Sequence, residues 1–132
     1  MVFPVMILDT SFLVSFFRQH DENHKKAVEI ASKNDKEEKL LPELIYFETL
    51  TVINYKEGIA AAKEVNEYLV ANQHIRLYAF SDEEKQEMLA EFFAQEKQLS
   101  VEDASVVYLA RKTGSKTLSF DDRLVRAIGR PA

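Results

Sequence analysis

Val5-Met6-Ile7-Leu8-Asp9 and Thr117-Leu118-Ser119-Phe120-Asp121 are the stretches of this 132-residue chain whose reading decides the fold. The first is an unbroken apolar run closed by a carboxylate, and the second is read in the same way. Short apolar runs of this kind are strands covered on both faces, a property of parallel sheets flanked by helices. If the two strands are parallel neighbours, Asp9 and Asp121 arrive at one edge of the sheet. In open parallel sheets ligands bind beyond the carboxyl ends of the strands. The competing reading of each Asp is a helix N-cap, a position this residue favours.

Outward from these strands the chain reads as helices. Asp9 to Arg18, His24 to Lys33, Ala60 to Ala71 and Asp121 to Gly129 are helical in pattern. Pro42 suits a first helical turn, here of a helix over Glu43 to Lys56 that Gly58 ends. Ser81 and Glu84 form a capping-box spacing that opens a helix to Gln95. Ser100 to Lys112 is another helix, closed by Gly114. Leu40-Leu41 and His74 to Phe80 complete the strands. The charged stretch Asn34 to Lys39 reads as a surface loop. Strands alternating with helices imply an α/β fold, a three-layer α/β/α sandwich around a parallel sheet of four to five strands. One domain spanning residues 1–132 is expected from the length.

Composition narrows the function. Hydrophobic residues make up 46%, with nine Phe and five Tyr, enough for a globular core. There is no Cys, so disulfides, thiolate metal sites and cysteine nucleophiles are excluded. Met1 to Leu8 is apolar but lacks a basic leader and a cleavage site. It is too short for a signal peptide or a spanning helix. A cytoplasmic protein with no membrane association is therefore expected. The net charge of -5 argues against binding nucleic acid mainly through a basic surface. Nucleic acid remains a partner only if the acids are gathered at a metal site.

Two further acids break the expected pattern. Leu44, Glu48, Val52 and Tyr55 share one helix face, with Ile45 beside them. A carboxylate within an apolar face is costly unless it is paired or metal-bound. The competing reading is a buried ion pair with an Arg or Lys. Asp103 is followed by Val106, Val107 and Ala110 at helical spacing, yet Ser100-x-x-Asp103 is also a capping pattern. Cap and ligand are compatible at that position. Glu102 lies on the other face, read as solvent-exposed, with a place at the rim of the site as the alternative. Four carboxylates together would repel unless they share a hard cation, and all-oxygen ligation points to Mg²⁺ or Mn²⁺. Such a site suits phosphodiester cleavage.

The order of these motifs resembles PIN domains. Val5 to Val14 resembles their opening strand and first acid. Tyr46-Phe47-Glu48-Thr49-Leu50-Thr51 resembles the helix with the second, Leu99 to Ala104 the third, and Thr117 to Asp121 the fourth. The resemblance spans nearly the whole chain and implies a Mg²⁺- or Mn²⁺-dependent endoribonuclease with Asp9, Glu48, Asp103 and Asp121 as catalytic metal ligands. It implies that Ser11 and Ser119 brace the acids or touch phosphate. Asp122 is an alternative to Asp121. Size and form resemble VapC-type toxins, which implies an RNA substrate, a homodimer and a small antitoxin partner. Candidate RNA contacts are Arg18, Lys25, Lys26, Arg123, Arg126 and Arg130. Family members often continue into a short final strand, which this sequence is expected to lack.

Other readings fit less well. A haloacid-dehalogenase-like phosphatase needs a second Asp two residues after the first, where this chain has Ser11. A receiver domain needs an acceptor Asp ending a middle strand. A housekeeping RNA-processing PIN nuclease and a PIN-like binding module without catalysis remain as alternatives.

Overall fold

The computed structural model describes residues 5–95 and 98–129. The elements run β1 (Val5–Leu8), α1 (Thr10–Phe17), α2 (His24–Lys33), β2 (Glu38–Pro42), α3 (Glu43–Glu57), α4 (Ile59–Ala71), β3 (Ile75–Tyr78), α5 (Asp82–Ala94), α6 (Val101–Thr113), β4 (Lys116–Leu118) and α7 (Asp122–Gly129). Met1 to Pro4 and Arg130 to Ala132, the first part of the apolar N-terminal run and a stretch with the candidate RNA contact Arg130, lie outside the described residues.

All four strands are parallel, in the order β3-β2-β1-β4. This is the α/β architecture expected. From β1 the chain steps to β2 and then β3 in one direction, with α1 to α4 in the crossovers. From β3 it returns across the whole sheet to β4 through α5 and α6. Right-handed crossovers place these two sets of helices on opposite faces. The reversal makes β1 and β4 the switch point, with a crevice at their carboxyl ends. Ile7, Leu8 and Leu41 from the sheet, Phe12 and Leu13 from α1, Ile45 and Ile53 from α3, and Val106 and Leu109 from α6 are all nearly fully buried in the core.

Four local readings are corrected. Pro42 ends β2 and caps α3 without a side-chain bond, so it stands one step before the helix rather than in its first turn. Glu38 and Lys39 join β2 instead of the charged surface loop. Lys39 is buried because its apolar stem packs inward while Nζ reaches the Glu37 carbonyl at 2.7 Å. β4 stops at Leu118, two residues before the expected end, and Asp121 does not directly follow it. Its register with β1 pairs Met6, Ile7 and Leu8 with Lys116, Thr117 and Leu118. The Asp9 amide makes the last link, to the Leu118 carbonyl at 3.2 Å. Beyond that point side chains take over. The fully buried face of α3 is Ile45, Thr49 and Ile53, so Glu48, with Leu44 and Val52 packed at the core's margin, stands at its edge rather than in its middle.

Candidate active site

Asp9 leaves β1 and caps α1. It is 3% exposed, yet it lies on the wall of an open cleft of about 800 Å³. Its Oδ2 accepts from the Ser11 hydroxyl at 2.7 Å, the Ser119 hydroxyl at 2.8 Å and the Ser11 amide at 3.4 Å. The two serine hydroxyls are 3.2 Å apart. Ser11 Oγ also accepts the Phe120 amide at 2.9 Å, and Ser119 Oγ accepts the Asp121 amide at 3.0 Å. These bonds replace the strand ladder after Leu118 and turn the chain so that Asp121 reaches the cleft. The serines therefore clasp the ends of β1 and β4 around the first acid.

The other acids come from three further elements. Glu48 is half-buried on α3, and its Oε1 accepts from the Thr10 hydroxyl. Among the described residues it has no Lys or Arg partner within ion-pair distance, so the ion-pair reading is not the one seen. Asp103 occupies N3 of α6 in a capping box with Ser100: its Oδ2 accepts the Ser100 amide at 3.3 Å. Asp121 accepts the Arg123 and Leu124 amides on Oδ1, at 3.0 and 3.4 Å, which caps α7. Both capping readings are correct, and both residues still line the cleft. Among the described residues, the hydrogen bonds to each of the four acids fall on one oxygen, which leaves the other for a further partner.

The electrostatics follow from this crowding. Burial pushes the Glu48 carboxyl above its usual range, and the charges of Glu102, Asp103 and Asp9 push the same way against the Thr10 bond. Burial likewise raises Asp103, opposed by the Ser100 amide and reinforced by Asp9 and Asp121. Glu102 is thus within electrostatic reach of Glu48 and partly buried, in keeping with a place at the rim of the site.

The cleft also gathers residues that carried no local signal. Thr10 faces Glu48, and Asp21, Glu22 and Asn23 reach the wall from the turn between α1 and α2. Burial would raise Asp21, but the Asn23 amide, the Ser15 hydroxyl, Arg18 and Lys56 together hold it below its usual value. Asp122 lines the cleft beside Asp121. Of the predicted cations, Arg123 and Arg126 line it, while Arg18 and Lys25 do not. Arg18 is bound to Glu57 at 3.0 Å and to Asp21 at 3.7 Å. Lys25 and Lys26 are exposed on α2, and Arg130 lies outside the described residues.

Among the described residues, seven acidic and two basic ones line this cleft, a net of -5 that equals the formal charge of the whole sequence. The net negative charge is therefore a property of the cleft. The donors are all oxygen, as a hard cation requires. Among the described residues, however, no group of three or more His, Asp or Glu side chains is gathered tightly enough to hold a metal ion.

The family model described as PIN domain matches residues 6–129. This chain belongs to the PIN domain family. Among solved structures, this PIN domain is similar to Mycobacterium tuberculosis VapC20, described as a sarcin-ricin loop cleaving toxin. That match has a TM-score of 0.83 and 19% identity over 96% of this chain and 99% of that one. It is also similar to VapBC2 from Rickettsia felis, solved bound to a DNA fragment from the promoter. There the TM-score is 0.66 and the identity 11%, over 93% and 92% of the two chains. At these identities the likeness shows the shared fold. No curated protein matches this chain in sequence.

Proposed function

We propose that this PIN domain is a metal-dependent endoribonuclease and the toxin of a toxin–antitoxin pair. One observation carries the reading. Four carboxylates from four separate elements reach one cleft at the switch point, each braced through a single oxygen. A helix cap alone accounts for neither Glu48 nor the confinement of the net charge to the cleft.

Asp9, Glu48, Asp103 and Asp121 are the proposed ligands, with Asp122 as the alternative to Asp121. Mg²⁺ or Mn²⁺ held there would polarise the phosphate and activate a water for attack on phosphorus. Mg²⁺ keeps several of its waters and is often held by one or two carboxylates directly, which suits acids spaced around a cleft rather than closed on a point. Ser11 and Ser119 hold Asp9, Thr10 holds Glu48, and Arg123 and Arg126 are placed to meet phosphate oxygens.

The toxin reading is supported by the two similar structures, one described as a sarcin-ricin loop cleaving toxin and the other as VapBC2 bound to a DNA fragment from their promoter. It brings with it a small antitoxin, a homodimer and action in the cytoplasm. Among the described residues no helix is long and apolar enough to cross a membrane. Exposed Val70, Leu89 and Phe93 on α4 and α5 offer apolar area for a second copy or an antitoxin. The purified protein should cleave RNA with Mn²⁺ and stop in excess EDTA, and Asp9→Asn should lose orders of magnitude in rate. Expression alone should arrest growth unless Asp9 is replaced. Metal-independent cleavage, or full activity in Asp9→Asn, would overturn the mechanism. A folded protein with no cleavage at all favours a binding module, and cleavage without growth arrest favours a housekeeping nuclease.

A further inference from the structure

We infer that Tyr55 is a base-stacking platform that grips single-stranded RNA beside the reacting phosphate. The inference rests on the ribonuclease reading and adds where the strand is held. Tyr55 follows Glu48 by seven residues on α3, so it projects from the same helix face about 10 Å further along the axis. Val52, between them on that face, lines the cleft. Glu48, Val52 and Tyr55 thus form a strip leading from the acids out along one wall. Tyr55 is 88% exposed, more than any other large hydrophobic side chain described. Among the described residues its hydroxyl has no hydrogen-bond partner and its ring no aromatic neighbour. Packing does not explain it.

Charge explains why an aromatic platform is needed there. RNA-binding proteins ordinarily gain affinity by neutralising phosphates with Lys and Arg. This cleft offers two arginines against seven acids, and each already makes a contact within the protein. Arg123 lies 3.9 Å from Asp121, and Arg126 Nε donates to the Asp122 carbonyl at 3.2 Å. Near the far end of the strip Arg18 is bound to Glu57 and Asp21. A cation at the acids would neutralise only the phosphate it touches. Beside Tyr55, exposed Lys56 adds one positive charge within electrostatic reach of Asp21, and stacking of a base on the Tyr55 ring supplies a grip that does not depend on charge.

The test measures binding of a fluorescein-labelled twelve-nucleotide oligouridylate by anisotropy with Mn²⁺ present, recorded before cleavage sets in. The same oligomer is then scanned with single abasic positions. Tyr55→Ala should bind about fivefold more weakly or worse, the lower end of one base's stacking, and Tyr55→Phe should bind like the wild type. One abasic position should weaken the wild type and leave Tyr55→Ala unaffected. With the same oligomer as substrate, KM should rise in Tyr55→Ala while kcat holds. Equal affinity and equal abasic profiles in wild type and Tyr55→Ala overturn the inference. So does a loss of self-association by light scattering with no abasic coupling, which would mark a protein-binding face. If Mn²⁺-dependent RNA cleavage persists in those cases, only the stacking role falls. If the wild type neither binds nor cleaves RNA, the nuclease reading falls and this inference with it.

Discussion

At the scale of the residue, the site is a contest between capping and repulsion. Asp103 and Asp121 each stabilise a helix through one oxygen while adding charge to a cleft already crowded with acids. Glu48 has no capping duty, so its charge is the cleanest to remove. Glu48→Gln should stabilise the metal-free protein by about 1 kcal/mol, a few degrees in Tm, which thermal melts in EDTA will show. Among the described residues, Thr10 is its one donor. Thr10→Val should leave the fold intact in the same melts and lower the rate of Mn²⁺-dependent cleavage, because Glu48 loses its fixed orientation. Unchanged kinetics in Thr10→Val would show that this bond is dispensable.

At the scale of the element, the caps and turns carry the fold. Gly58 joins α3 to α4 with φ 95° and ψ 170°, and an added Cβ there would meet no atom within 4 Å. The cost of Gly58→Ala is therefore backbone strain alone, about 1–3 kcal/mol, readable as a lower denaturation midpoint with an unchanged slope. Most elements were legible in the sequence because their signals are local: the Ser81–Glu84 box, Gly58, Gly114 and the apolar run before Asp9. What was missed depends on distant partners. The Phe120 amide bonds to Ser11, 109 positions away, so the end of β4 could not be read from its own residues. Glu48, Val52 and Tyr55 do share a face, but periodicity does not distinguish a core from the wall of a cleft. Arg18 is close to Asp9 in sequence, yet nine residues of helix rise carry it about 13 Å away, to Glu57. The turn bearing Asp21 to Asn23 folds back onto the cleft without any sequence signal of its own.

At the scale of the molecule, two acidic networks respond to pH with opposite sign. Glu84 links β3, α5 and α6: its carboxylate accepts from Tyr78 at 2.6 Å and from Lys112 at 3.0 Å. The Ser81 amide, Tyr78 and Lys112 hold it at about 2, and Tyr78 is in turn pushed up to about 12. A depressed carboxyl stabilises the fold above its ordinary value of 4.5, and that stability is lost as pH falls towards 2. Glu48 and Asp103 are raised instead. Their folded forms bind protons more readily than the unfolded chain, so stability increases as pH falls from neutrality through their raised values. The metal-free protein should therefore be most stable at mildly acidic pH, with a fall on either side. Lys112→Met should move the acid limb to higher pH, and Glu48→Gln should flatten the limb towards neutrality. Urea midpoints across pH in EDTA will check both, and a stability that simply rises to pH 7 would contradict the account.

The central claim is that Asp9, Glu48, Asp103 and Asp121 serve one cation. Melts with and without millimolar Mn²⁺, for the wild type and for Asp9→Asn, Glu48→Gln, Asp103→Asn and Asp121→Asn, test it most directly. Mn²⁺ should raise the Tm of the wild type through binding to the folded state. Each substitution should reduce that gain, even where it stabilises the protein in EDTA. Asn caps a helix about as well as Asp, so lost capping cannot imitate this pattern at Asp121. A wild type whose Tm ignores Mn²⁺, or four variants that gain as much from it as the wild type, would contradict the shared site.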